Sequence, residues 1–346
     1  MFDYENLDQL IFDDTIDADE FVIITGYIGP PIISRLNTLP FDTTIYVGMY
    51  GNNVSSELHN SLLRYDKFTN LSINYTKTLV HSKCYLWLKK KKLVKALIGS
   101  ANFSSSGLLT AKREVLGDVL ETDFAKTKKY LNIVKANSFS VKEYVVSTKP
   151  VVVDTEEAIV TEDAVTLSFL SSCQGTTKNI VGVKTKRGGV PVAASLNWGF
   201  SNGAPSPNDA YIKIPAKCIR ENPLIFPQKN KNINLPIDVI WDDGTEMQML
   251  LEGNMTIDGC IYPKQISTYK DKSEIGVYLR RRIGEKIDKD LVIPENLSKT
   301  NFRTVVNDYK DKLITKEMLQ AYGRTNITIK VIGDKTYYFD FSVNKE

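Results

Sequence analysis

The sequence has little of what marks a secreted, metal-binding or membrane-spanning protein. Its four cysteines are scattered without a CxxC pair, and there are only two histidines, His59 and His81. That spacing predicts free thiols in a reducing cytosol and argues against a structural zinc site. No apolar run approaches the roughly 20 residues that span a bilayer, and the acidic first 20 residues contain no Lys or Arg. We therefore expect a cytoplasmic protein that is neither secreted nor inserted into a membrane.

A strong net charge is also missing. The 44 Lys and Arg residues stand against 41 Asp and Glu, which leaves a formal charge of +3. A balance this mild does not by itself indicate a nucleic-acid-binding protein, so any binding face has to come from local clustering. At 346 residues the chain is long enough for about two domains, on a prior of roughly 100 to 200 residues each.

Residues 1–150 alternate strand-like and helix-like patterns. The strand candidates are Phe21–Ile28, Thr43–Tyr50, LSINYT, HSKCYLWL, KALIGS and REVLGDVL. Helical spacing predicts a short helix in PIISRLNTL, an amphipathic helix over Val54–Phe68, and a last helix, FAKTKKYLNIVKA, capped by Asp123. Strands that alternate with helices imply an α/β domain in which helices cover a mixed sheet, with the chemistry at strand ends and loops.

A Pro- and acid-containing stretch, STKPVVVDTEEAIVTED, interrupts this pattern and predicts a linker, which we place at residues 151–165. Residues 166–346 are expected to form a second domain that is mainly β. Asp243-Gly244 and Gly333-Asp334 each separate two strand-like runs, which predicts two hairpins. Before the second hairpin, the segment NDYKDKLITKEMLQAYG is typical of a helix that stops at Gly323.

The segment His81-Ser82-Lys83 carries a nucleophile and a cation within one predicted strand. Alternate side chains of a strand share a face, so His81 and Lys83 are expected to meet the same phosphate. Lys83 supplies positive charge, and the imidazole can attack phosphorus or transfer protons near neutral pH. Two such residues also occur by chance on many surface strands, so this segment alone decides nothing.

A second segment, from Gly99 to Glu114, adds groups suited to the same chemistry. A strand ends at the glycine turn, and Ser104-Ser105-Ser106 predict a cap for a helix at GLLTAKRE. Exposed amides at that turn and helix start would hold an anion, with Ser100 and Asn102 as further donors. Glu114, expected on the next strand, would orient the imidazole through its second nitrogen. Taken singly, these features also fit an ordinary strand-to-helix turn and a surface acid.

Together these residues resemble the signature of the phospholipase D superfamily, which is HxK followed by GSxN and a downstream acid. The chain has H-S-K at 81–83, G-S-A-N at 99–102 and then Glu114. Many lipid-acting members carry an Asp five residues after the Lys, where this chain has Leu88. That departure makes the chain look like the nuclease branch.

The resemblance implies a role for each of these residues. It makes His81 the nucleophile that forms a phosphohistidine intermediate, Lys83 and Asn102 ligands of the nonbridging oxygens, Ser100 a supporting donor, and Glu114 the residue that orients His81. Superfamily sites use two HxK units, and this chain has one, so the resemblance implies a homodimer with one shared active site. It implies no metal and no other cofactor, because Lys83 and the amides would stabilise the charge.

The second half offers a further resemblance. The segments that carry it are, in order, SLNWGF, NDAYIKIP, IFP, SEIGVYLRRRIG, AYGRTNITI and YYFDFS. They look like the target-recognition half of NgoFVII-type restriction endonucleases, which join a phospholipase D-like nuclease to a B-three-like pseudobarrel. The resemblance implies a sequence-specific, metal-independent restriction endonuclease acting on double-stranded DNA. It leaves open a companion ATPase and a cognate DNA methyltransferase as partners.

Several residues of the second half are compatible with DNA binding. Lys184, Lys186 and Arg187 precede two glycines in a predicted loop, where cations can meet phosphates. The candidate base readers are Ser195, Asn197 and Asn202, because amide side chains can pair with adenine.

For several residues a simpler interpretation competes with DNA contact. Core packing is the favoured interpretation for Trp198, and a solvated hairpin is favoured for Lys89–Lys92. A solvated hairpin is also the alternative to DNA contact for residues 184–187. At least one arginine among residues 280–282 is expected to be structural.

Three other functions compete with the endonuclease. A phosphatidyl-transferring enzyme of the same superfamily is disfavoured by the single motif and by Leu88. A DNA-binding regulator with a non-catalytic first domain is disfavoured by the intact motif residues. A metal-dependent nuclease would use four acids that surround a hairpin turn and are more simply turn residues. These acids are Asp238, Asp242, Asp243 and Glu246.

Overall fold

The computed structural model describes residues 2–50, 54–146, 164–174, 184–201, 206, 208–284 and 313–343. Most of the predicted linker therefore lies outside the described residues. Its last two positions, Ala164 and Val165, already belong to a strand of the second sheet. Among the described residues, no helix is long and apolar enough to cross a membrane.

An eight-stranded mixed sheet organises the first part of the chain, in the order β1-β7-β6-β5-β2-β3-β4-β8. Its strands are β1 (Phe2–Asp3), β2 (Glu20–Thr25), β3 (Asp42–Val47), β4 (Leu71–Thr76), β5 (Lys83–Lys89), β6 (Lys92–Gly99), β7 (Leu116–Asp118) and β8 (Ser138–Ser140). Strands β2, β3 and β4 run parallel, and the remaining pairs are antiparallel.

Helices cover both faces of this sheet because its strands are apolar on both sides. The helices are α1 (Leu7–Ile11), α2 (Pro30–Ile33), α3 (Ser56–Leu63), α4 (Ser105–Leu109) and α5 (Phe124–Ala136). Phe21 and Ile23 of β2 pack in a core with helices α1 to α4, whereas Val22 and Ile24 pack in a second core with α5. This arrangement confirms the predicted helix-covered mixed sheet.

Three local expectations about the first sheet were wrong. Strand β5 begins at Lys83, so His81 and Ser82 precede it. Helix α4 ends at Leu109 and is followed by a turn over residues 111–113, so TAKRE is not helical and Glu114 lies in a loop before β7. Asp123 occupies the N-cap position of α5, but its carboxylate pairs with Lys126 (2.9 Å) and does not cap the backbone.

The second part of the chain forms a seven-stranded, nearly closed and barrel-like sheet, in the order β10-β15-β12-β11-β17-β16-β9. Its strands are β9 (Ala164–Ser168), β10 (Ile212–Lys213), β11 (Leu235–Trp241), β12 (Glu246–Glu252), β15 (Gln265–Thr268), β16 (Asn326–Gly333) and β17 (Thr336–Asp340); β13 (Met255–Ile257) and β14 (Cys260–Tyr262) form a separate pair. The accompanying helices are α6 (Ala216–Glu221), α7 (Ser273–Arg282) and α8 (Lys316–Tyr322).

Both predicted hairpins are present in this sheet. Strands β11 and β12 are joined through Asp243-Gly244, and β16 and β17 are joined through Asp334-Lys335, one residue later than expected. The predicted helix before Gly323 starts only at Lys316, since Thr315 is its N-cap, while residues 307–312 lie outside the described part of the chain. Gly323 ends it with a φ of 104°, in the left-handed region.

One face of the second sheet packs on the first domain. Ile237, Val239 and Trp241 of β11 point into the second domain's own core, whereas Ile240 of the same strand joins the first domain's core. Helices α2, α3 and α4 contact strands of this face. Period-two alternation therefore gives β11 one side for each domain.

Candidate active site

His81 lies just before β5 and is exposed. The ring of Tyr27 meets its imidazole edge to face, with the ring centroids 6.2 Å apart. Lys83 is buried, and its Nζ donates a hydrogen bond to the His81 carbonyl oxygen (2.8 Å). Ser82 turns the other way, with its hydroxyl 2.6 Å from the Tyr130 hydroxyl. The Lys83 ammonium therefore lies beside the backbone of His81.

Asn102 is held at both ends of its amide. Its Oδ1 accepts hydrogen bonds from the Tyr27 backbone N–H (3.2 Å) and the Thr25 hydroxyl (3.4 Å). Its Nδ2 donates to Asp334 Oδ2 (3.3 Å), which reaches it from the β16–β17 turn of the second domain. The amide donor expected to hold a phosphate therefore faces a carboxylate in this structure.

Gly26 brings His81 and Asn102 to one place. A Cβ at this position would lie 3.0 Å from Cδ2 of His81 and 3.3 Å from Oδ1 of Asn102. Both side chains therefore converge on the loop that follows β2, and glycine leaves the space for their close approach.

Ser100 and Glu114 belong to the neighbouring loop. The Ser100 hydroxyl accepts a hydrogen bond from the Val115 N–H (3.1 Å), while the Ser100 N–H donates to the Val115 carbonyl oxygen (3.0 Å). Arg113 Nε lies 3.4 Å from a carboxylate oxygen of Glu114. Ser100 therefore fixes the loop that carries Glu114, a contact the sequence did not indicate.

The helix start expected to offer exposed amides does not do so. Ser104, Ser105 and Ser106 are all buried. The Ser104 hydroxyl caps the helix by accepting from the Gly107 N–H (3.1 Å), and the Ser105 N–H donates to a carboxylate oxygen of Asp238 (2.9 Å). Protein acceptors already use these amides, so the prediction of a free anion-binding helix start was wrong.

Among the candidate DNA-binding residues that the structure describes, one set is exposed and the other is buried. Lys184, Lys186 and Arg187 are exposed around a surface cavity that Thr315 also lines. Asn202 lies outside the described residues.

Ser195 and Asn197 are buried, which corrects their assignment as base readers. The Ser195 hydroxyl donates to the Tyr211 carbonyl oxygen (3.2 Å). The Asn197 amide donates to the carbonyl oxygens of Pro191 (3.0 Å) and Ile314 (2.9 Å), and it accepts from the Ile314 N–H (2.8 Å). These bonds hold two chain segments together and leave the amide no edge for a base.

The four acids near the first hairpin all have protein partners: Asp238 accepts from the Ser105 N–H (2.9 Å), and the other three bind as follows. Asp242 makes two hydrogen bonds to Arg282 (3.1 and 2.7 Å), which confirms that one arginine of 280–282 is structural. Asp243 accepts from the Thr245 N–H (2.9 Å). Glu246 contacts Ser61, Arg64 and Tyr65 of the first domain. Within the described ranges, no cluster of three or more His, Cys, Asp or Glu side chains is placed to hold a metal.

Sequence reasoning missed the roles of Thr25, Tyr27, Asp238 and Asp334. Thr25 ends β2 and Tyr27 lies in the loop after it; loops at the carboxyl ends of parallel strands often carry binding residues, so that signal was available. Asp238 and Asp334 were predicted only as turn residues, and nothing local in the sequence marks their contacts across the domain boundary.

Comparison with known proteins finds a family model for each half of the chain. Residues 5–148 match the model of the NgoFVII restriction endonuclease N-terminal PLD domain, and residues 171–333 match the model of the NgoFVII C-terminal B3-like DNA-binding domain. No curated protein is similar enough to count as a relative.

Among solved structures, NucT from Helicobacter pylori is 18% identical over 40% of this chain and 99% of its own, with a TM-score of 0.31. Nuc from Salmonella typhimurium, a phospholipase D family member, is 13% identical over 40% and 93%, with a TM-score of 0.30. Polyphosphate kinase from Porphyromonas gingivalis is 13% identical over 39% and 21%, with a TM-score of 0.27. These scores are too low to bear on the fold.

The two matched models define the class of protein as a phospholipase D-type nuclease domain joined to a B3-like DNA-binding domain. Both models describe one family, and together they span most of the chain. The chain belongs to the NgoFVII restriction endonuclease family.

Proposed function

We propose that the chain is a sequence-specific endonuclease that hydrolyses DNA without a metal, through a phosphohistidine intermediate, in an active site shared by two copies. The observation that carries the proposal is the convergence of His81 and Asn102 beside Gly26, with the Lys83 ammonium bonded to the His81 carbonyl oxygen. An exposed imidazole next to a buried ammonium and an oriented amide suits attack on phosphorus with charge stabilisation by the protein.

In this mechanism His81 attacks the scissile phosphate, and the bond to the leaving oxygen breaks. A covalent phosphohistidine forms, and the partner copy's imidazole gives a proton to the leaving oxygen. Water, activated by that same imidazole, then displaces His81 and releases the 5′-phosphate or 3′-phosphate end. Lys83 and the Asn102 amide bind the nonbridging oxygens, and Glu114 orients His81.

The single HxK unit supports a shared site, because sites of this superfamily use two imidazoles and the chain has one such unit. Leu79, two residues before His81, is a large apolar side chain that is 60% exposed. A second copy packed against this side chain would bring the second imidazole to the same place.

Incubation of the full chain with long duplex DNA in EDTA tests the proposal. We expect discrete fragments with constant end sequences, and we expect the His81→Ala variant to give none. A matched control is His59→Gln, because His59 is buried beside the Tyr75 hydroxyl (3.2 Å) away from the HxK segment.

Two measurements test the mechanism: trapping of the covalent DNA–protein intermediate, and the dependence of cleavage on magnesium. Denaturation during turnover should leave a DNA–protein adduct that is labile in acid and maps to His81. Cleavage that requires magnesium, or an adduct on another residue, would contradict the proposed chemistry. Uniform degradation with no preferred ends would contradict sequence-specific cleavage.

A further inference from the structure

Asp238 belongs to the DNA-binding domain but touches the segment that carries Asn102. It lies on β11, and its side chain is fully buried. Its two carboxylate oxygens accept hydrogen bonds from the Ser105 N–H (2.9 Å) and the Ser105 hydroxyl (2.6 Å). Both donors of Ser105 are therefore satisfied from the other domain.

Ser105 opens helix α4, which supports Asn102 directly. A Cβ at Gly107 of this helix would lie 2.2 Å from the carbonyl oxygen of Asn102 and 2.8 Å from its nitrogen. The helix backbone thus packs against the Asn102 backbone with no space between them. Any movement of the helix start has to move Asn102 as well.

Asp238 also contacts the second segment that holds Asn102. A Cβ at Gly29 would lie 1.9 Å from Asp238 Oδ2, so this glycine admits the carboxylate. The Gly29 N–H donates to the Phe103 carbonyl oxygen (3.0 Å), and Tyr27 of the same loop donates to the Asn102 amide. Asp238 therefore lies where the β2 loop and helix α4 meet behind Asn102.

We propose that Asp238 is a positioning residue of the nuclease site, through which the DNA-binding domain fixes the place of Asn102. The inference rests on the proposed function. Asp238 does not reach the reacting atoms itself; it satisfies Ser105 in the interior, where an unsatisfied donor would force the segment to shift. Misplacement of a phosphate ligand by about 1 Å can lower the rate about 100-fold.

Single-turnover cleavage of plasmid DNA at saturating protein measures this role, together with the dissociation constant for DNA. We expect Asp238→Ala to lower the rate constant about 100-fold and Asp238→Asn about tenfold, because asparagine keeps one acceptor. We expect the dissociation constant to stay within about twofold of the wild-type value, since β11 presents Asp238 to the nuclease domain. If a substitution instead disturbed the packing of the DNA-binding domain as a whole, DNA affinity and the cleavage rate constant would fall together.

Ser105→Ala provides a variant that keeps the carboxylate buried and removes one donor. It should lower the rate in the same direction, and the double variant with Asp238→Asn should be no slower than Asp238→Asn alone, because both changes break one interaction. If the Asp238 variants do not fold, the rate of Ser105→Ala decides the question.

Glu57→Gln is the matched control, because Glu57 also bridges the domains, through Lys330 Nζ (2.6 Å), but from helix α3. Its rate constant should equal that of the wild type. Equal losses in Glu57→Gln and Asp238→Asn, or unchanged rates in both Asp238→Asn and Ser105→Ala, would overturn the positioning role. Absence of cleavage by the wild type would instead contradict the proposed function.

Discussion

The Asn102 amide shows how one side chain can be oriented by its neighbours before any substrate binds. The Tyr27 N–H fixes its oxygen, so its nitrogen must point the other way, towards Asp334. The Asp334 oxygen stands 3.3 Å from that nitrogen, a position where a phosphate oxygen would serve equally well as acceptor.

The amide orientation predicts the effect of Asn102→Asp. The substitution keeps the shape and the bond to Tyr27, but it replaces the donor by an oxygen that repels both Asp334 and a phosphate. We expect the single-turnover rate of DNA cleavage to fall about 100- to 1,000-fold, the cost of losing one donor to a developing oxyanion. Asn102→Ala should lose a similar factor, and a loss below tenfold in both variants would mean that this amide does not bind the phosphate.

At the scale of elements, strands and helices with clear periodicity could be predicted from the sequence. LSINYT became β4 and FAKTKKYLNIVKA became α5 with the expected bounds, because alternation and helical spacing record which face is buried. Helix α4 was predicted to continue to Glu114, whereas the backbone becomes extended at Thr110 (φ −85°, ψ 108°) and left-handed at Lys112 (φ 59°).

The residues whose roles were misjudged are those whose hydrogen-bond partners are distant in the sequence. Asp238 and Asn197 look like polar surface residues in the sequence, yet each is buried with its polar atoms satisfied by a distant segment. Local patterns carry no information about such partners. The HxK and GSxN segments were found because their residue types and order are themselves the signal.

Burial makes the Asp238 contact sensitive to pH. Burial of Asp238, with the charges of Glu246 and Asp334 added to it, raises the pKa of its carboxyl from 3.8 to about 7, although the bonds from Ser105 oppose the shift. Tyr65, which also faces this acid, has its own pKa raised mainly by burial. The folded state therefore holds a proton on Asp238 that the unfolded state releases near pH 4.

The free energy of unfolding should consequently fall as pH rises from about 4 to 7, by up to about 1.4 kcal/mol for each pH unit from this group. Urea denaturation of the wild type and of Asp238→Asn at pH 5, 6, 7 and 8 measures the effect. The difference between the two proteins isolates Asp238 from other acids, such as Asp209, whose pKa burial raises to about 6. A difference that stays constant over this range would contradict the assignment.

At the scale of the whole molecule, the two domains are joined through polar contacts around the nuclease segment. Asp334 contacts Asn102, Asp238 contacts Ser105, and Glu246 contacts Arg64 (3.2 Å). The DNA-binding domain therefore lies against the loops that orient Asn102. These contacts connect the DNA-binding domain directly to the nuclease domain.

The single HxK motif leads to a prediction about the assembled protein. If two copies share one active site, a heterodimer of wild-type and His81→Ala chains holds one imidazole where two are needed. Co-expression with two different affinity tags, followed by purification on both, isolates that heterodimer. We expect its cleavage of duplex DNA in EDTA to be close to zero, while a doubly tagged wild-type dimer keeps full activity. Two independent sites would instead leave about half of the activity, and a monomer would yield no doubly tagged species, so either result would rule out the shared site.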